Sequence, residues 1–187
     1  MKSVALSLLA YLLTLATTPL AAKVEQHGEG PLSTLIYRDL VLDHLKIEGG
    51  VRLEGTKVFG KVEGKGRLTL YNATVGQVDL KGPLVVTGSE VKGDLHLEGL
   101  LLGSNSLFNG EILAYSSDLL LSTCVTGGIT IPRVLPIESS QILTLCDFTV
   151  VRGNIIFESG RGEIVLDKTS RILGQVRGAT VKGSRRD

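Results

Sequence analysis

Val91-Lys92-Gly93-Asp94-Leu95-His96-Leu97-Glu98-Gly99 decides the fold. Apolar side chains at alternate positions are strand spacing, with one face directed inward. The two glycines mark where the chain turns or packs closely. The pattern recurs in both directions. Aligned on one small residue per turn, the anchors are Asp43, Gly60, Gly76, Gly93, Gly110, Gly127, Gly153 and Gly174, at intervals of 17, 16, 17, 17, 17, 26 and 21. Two residues after each anchor stands an aliphatic side chain: Leu45, Val62, Val78, Leu95, Ile112, Ile129, Ile155 and Val176. A looser column follows four residues after the anchor, from Ile47 to Gly178. Another lies two residues before it, Val41, Val58, Val91, Phe108, Val125 and Val151, with Val75 taking the place in the Gly76 turn, which is one residue shorter. Two columns of corner-forming residues run in step, Gly49, Gly66, Gly82 and Gly99, and then Gly55, Asn72, Gly88, Asn105 and Ser122.

Short strands and corners at a fixed period are the signature of a solenoid. A single short strand pair cannot bury its inner face, but a stack of such turns can, while pairing each turn's backbone with the next. We therefore expect an all-β, single-stranded β-solenoid, a right-handed parallel β-helix of 17-residue turns with about eight turns, roughly 38 Å long at ~4.8 Å per turn. A helix would need apolar residues at i, i+3, i+4 and i+7, which do not recur. The apolar gaps also miss the six-residue step of hexapeptide solenoids.

Residues 1–22 read as a signal peptide: Lys2, a mostly apolar run from Val4 to Ala16, and small residues before Lys23. The run is interrupted by Ser7, Thr14 and Pro19, too short for a span of about 20 apolar residues. Export to the periplasm or beyond is expected, with no transmembrane segment after cleavage. Residues 23–39 form a leader or cap, in which Leu32, Leu35, Ile36 and Leu40 suit either a short helix from Ser33 or the start of strand structure. The solenoid is expected over 40–184, with a loop inserted near 132–140, where Pro132 and Pro136 exclude a central ladder. A basic tail, 185–187, follows.

The whole chain has 20 Lys and Arg against 19 Asp and Glu, and cleavage would remove Lys2. This balance gives no reason to expect nucleic acid as a partner. Four Tyr, four Phe and no Trp count against an aromatic-lined sugar cleft. Nucleotide-binding and nucleophile-elbow motifs are missing from the sequence. The three histidines, His27, His44 and His96, share no metal-ligand spacing. No catalytic, metal or cofactor-binding residue is expected, nor is an enzyme.

Four features break the period. Cys124 and Cys146, the only cysteines, are a candidate disulfide in an exported chain, although their offsets from the anchors differ. The loop near 132–140 is the second. Asp79, Asp94, His96 and Glu111 form an outward polar cluster, the basis of an alternative function as a carbohydrate-binding or glycan-acting β-helix. Finally, Val85, Leu102 and Leu119 fall in one outward column, with Leu113 nearby, where alternation calls for polar residues. Such an apolar stripe marks a covered surface, and we expect a homo-oligomer or an envelope protein partner there.

The motif apolar-x-Gly-x-apolar-x-apolar-x-Gly and the turn length resemble the bactofilin type of polymer-forming β-helix, over Leu40 to Ile131. The resemblance implies a non-enzymatic scaffold that polymerises end to end, in a family that is mostly cytoplasmic. The chain departs from it by its leader, its cysteines and its long loop. The pattern is also similar to exported repeat proteins of Gram-negative bacteria. The reading from sequence is thus an exported structural or protein-interaction β-solenoid of the bacterial envelope.

Overall fold

All eight aliphatic residues at anchor plus two stack in a single ladder. Leu45 pairs with Val62, Val62 with Val78, Val78 with Leu95, Leu95 with Ile112, Ile112 with Ile129, Ile129 with Ile155 and Ile155 with Val176. A computed structural model describes residues 23–27, 34–133 and 140–183. The expected signal peptide, the tail 185–187 and most of the loop near 132–140 lie outside them. Among the described residues the fold is all-β, a parallel β-solenoid of about eight turns.

Each typical turn contributes three strands. One joins a ten-stranded sheet running from 23–27 to Ala179–Gly183. The other two join a fourteen-stranded sheet, in which Lys57–Lys65 and Thr74–Lys81 run continuously through a corner that other turns break. Among the described residues every strand pairing is parallel except one: Lys23–His27 lies antiparallel to Thr34–Arg38 and forms the first edge of the ten-stranded sheet. Thr34–Arg38 is strand rather than helix, in parallel register with Gly50–Glu54. An unpaired sheet edge is a template for other chains, and at this end of the ten-stranded sheet that edge is the strand Lys23–His27.

The interior is a column of Leu, Val and Ile from Ile47 to Ile164. Burying each is worth about 1.5–3 kcal/mol, and every turn contributes several. At the first corner Gly49, Gly66, Gly82 and Gly99 all have positive φ, between 93° and 153°. A Cβ on Gly82 would also strike the Gly66 carbonyl below it. The anchor glycines act differently: a Cβ on Gly127 would meet the Gly110 carbonyl, so this column permits turns to approach closely.

Three expectations fail for one reason. Leu101 stacks on Leu119 and Phe108 on Thr126, steps of 18, yet Ile112 stacks on Ile129, a step of 17. One residue is gained at Ser116-Ser117 and one lost before Ile129, so segment 118–126 is displaced by one while the period looks constant. Leu119 is therefore buried at 2% exposure. Thr123, not Ser122, takes the positive-φ corner, and Thr126, not Val125, faces inward. In the first turn, likewise, Leu42 rather than Val41 aligns with Val58. The long interval is distributed: Ser122 pairs with Cys146, Thr126 with Val151 and Ile129 with Ile155, so the offset grows from 24 to 25 to 26.

Candidate interaction surface

The second corner carries a buried polar ladder. Thr56, Ala73, Ser89, Ser106, Cys124 and Thr149 each follow a positive-φ residue there, Ser170 continues the column, and all seven are buried. A hydroxyl here donates to a carbonyl of its own turn, as Ser89 Oγ does to Thr87 O (2.8 Å) and Ser106 Oγ to Ser104 O (2.6 Å). It also accepts an N–H from the previous turn, Ala73 N–H to Ser89 Oγ (3.0 Å) and Ser89 N–H to Ser106 Oγ (3.2 Å). These bonds satisfy backbone groups that the corner removes from the sheet ladder. Cys124 is the thiol member: it donates to Ser122 O at 3.3 Å and accepts from the Ser106 backbone. Burial pushes its thiol pKa up.

Cys124 and Cys146, the candidate disulfide pair, are both buried and stand as thiols at different places in the turn. Cys146 ends the strand opposite Ser122, whereas Cys124 lies two residues further on, within the corner. Cys146 donates to Leu121 O at 3.7 Å, so each thiol serves its own carbonyl.

The polar cluster around His96 divides the same way. Asp94 Oδ1 accepts the Glu111 N–H (3.0 Å), and Glu111 Oε1 accepts the Gly128 N–H (3.1 Å). His44 and Asn154 do likewise for Lys61 and Gln175. Asp94 and Glu111 thus belong to a second corner ladder. His96 and Asp79 lie side by side on the outer face, where Asp79 pairs with Lys61 at 2.7 Å. Among the described residues, no group of three or more His, Cys, Asp or Glu is placed to hold a metal ion.

The surface that stands out is the outer face of the ten-stranded sheet. Its central column reads Ile36, Arg52, Thr69, Val85, Leu102, Leu120, Thr144, Val165 and Lys182. Beside it run Leu100, Asp118, Ile142 and Glu163, preceded by Arg67 and Pro83. Val85, Leu100, Leu102, Leu120, Ile142 and Val165 make an apolar centre, with Leu100 and Leu120 each 39% exposed. Leu120 replaces Leu119 in the expected stripe, for the register reason above. Leu113 is outward too, but on the other sheet, in the His96 column. Leu100, Ile142 and Val165 were missed from sequence. The apolar run Leu100-Leu101-Leu102 held a signal for the first, because consecutive strand residues cannot all point inward.

Charge rings this centre unevenly. Toward the N-terminal end lie Arg38, Arg52 and Arg67, with Glu54 bound by Arg38 and Arg52, and Glu25 by Arg38. Toward the C-terminal end lie Asp118, Glu163 and Asp167, with Lys182 bound to Glu163 at 2.6 Å. The first half carries a positive surplus and the second a negative one. No family model, no curated protein and no solved structure matches this chain.

Proposed function

We propose that this chain is an exported, non-catalytic β-solenoid that serves the bacterial envelope as a structural or protein-interaction module, working through the outer face of its ten-stranded sheet. The observation that carries the reading is the apolar centre of Val85, Leu100, Leu102, Leu120, Ile142 and Val165 within a charged and polar rim. That is the anatomy of an association surface, an apolar core with a polar rim. Export rests on the layout of residues 1–22. The likeness to bactofilin-type scaffolds adds a precedent for a solenoid whose work is assembly. A glycan site around His96 is less favoured, because Asp94 and Glu111 are engaged by backbone N–H groups.

Expression of the full chain in a Gram-negative host, with a photo-crosslinking residue at position 102, tests both parts. The expected result is a processed protein in the periplasmic or secreted fraction, with an adduct from position 102. The same probe at Lys92, on an exposed corner, should give none. An unprocessed cytoplasmic protein would overturn export, and the lack of any adduct at 102 would overturn the interface.

A further inference from the structure

Charge on the ten-stranded face changes sign along the solenoid axis. Arg38, Arg52 and Arg67 stand on the N-terminal side of the apolar centre, and Asp118, Glu163 and Asp167 on the other; Glu25 and Glu54 partly neutralise the first set, and Lys182 and the exposed Arg161 the second. Two copies laid face to face with axes parallel would set like surplus against like. With axes antiparallel, each positive half meets a negative half and the apolar centres coincide. We infer that the partner of this face is a second copy of the same chain, packed face to face and antiparallel. The inference rests on the proposal that this face is an interface.

Size supports a second copy. The nine parallel strands of the sheet span about 38 Å, and five residues of strand about 16 Å, a projected area on the order of 600 Å². That approaches the roughly 800 Å² per partner of a standard interface. Flat sheet faces pack on one another about 10 Å apart, and a two-fold axis makes the contact closed, so the assembly stops at two.

Sedimentation velocity on the purified protein tests this. A concentration-dependent dimer is expected, detectable up to about 100 μM and weakened by salt. Leu102→Glu should give a monomer with an unchanged circular dichroism spectrum. Arg67→Glu and Glu163→Arg should each weaken the dimer about tenfold, and the double variant should recover most of the loss. Spin labels at Lys182→Cys should lie about 35 Å apart across the dimer, since the two ends point away from each other. A pair distance near 10 Å, or no rescue in the double variant, would overturn the antiparallel arrangement. A monomer at all concentrations would overturn the second copy as occupant. The position 102 adduct then decides the broader reading independently: an adduct with a different protein keeps the face as an interface.

Discussion

Thr126 shows how a single side chain records a shift in register. It occupies an inward column otherwise built from Leu42, Val58, Val75, Val91, Phe108 and Val151, is fully buried, and its Oγ1 has no hydrogen-bond partner. Valine has the same shape without the hydroxyl. Thr126→Val should therefore stabilise the fold by about 1–2 kcal/mol, because an unsatisfied buried hydroxyl costs about that much. An upward shift in the urea midpoint at unchanged slope would confirm it, and a downward shift would contradict it. Cys124 makes the opposite case. Cys124→Ser keeps both bonds of the corner ladder and should change stability by less than about 1 kcal/mol. Cys124→Val strands the Ser106 N–H and should cost about 1–3 kcal/mol. The same unfolding measurement separates them: equal losses would show that the ladder is not what holds this corner.

The corner is the element that sets the stability of each turn. Gly82 combines φ of 144° with a Cβ position blocked by the Gly66 carbonyl. Gly82→Ala should cost at least about 2 kcal/mol, from backbone strain and displaced stacking together, and lower the thermal midpoint accordingly. Wild-type-like stability would refute the close-stacking role. A later corner is held by charge. Loss of hydration raises the Asp167 pKa, but hydrogen bonds from Ser170, Asp147 and Thr169 outweigh it and hold the carboxyl well below the usual range. A depressed folded pKa gives stability that is complete above the unfolded value, about 3.9, and is lost as pH falls below it. The Asp167→Asn variant should thus be less stable than wild type at pH 7, and the gap should narrow below about pH 4. A gap independent of pH would show that the carboxylate charge plays no part.

At the scale of the molecule, stability follows stacking, because each turn contacts only its neighbours. The central turns are closed on both sides. At the C-terminal end, inward Val181 is 47% exposed. Amide exchange should be slowest from Val62 to Leu145 and fastest in Arg171–Ile172 and Ala179–Gly183, since terminal units open at the lowest free energy. Uniform protection along the chain would instead indicate all-or-none unfolding. The antiparallel strand 23–27 should leave the first turn better protected than the last.

The period alone determined the solenoid, because a repeat that must bury alternate residues and turn at fixed corners has few other solutions. It also determined the anchor-plus-two ladder, whose eight members all stack as the spacing requires. The glycine corners were legible for the same reason. What the sequence could not disclose was the paired gain and loss of one residue between Ser116 and Ile129, which leaves the repeat length intact. Only hydrogen-bond register shows it, and a one-residue slip turns every side chain to the opposite face. That slip moved Leu119 inside and Leu120 outside, put Thr126 in the core and Thr123 at the corner. The charged halves of the outer face were equally hidden, because Arg67 and Glu163 share a surface only once the turns are stacked.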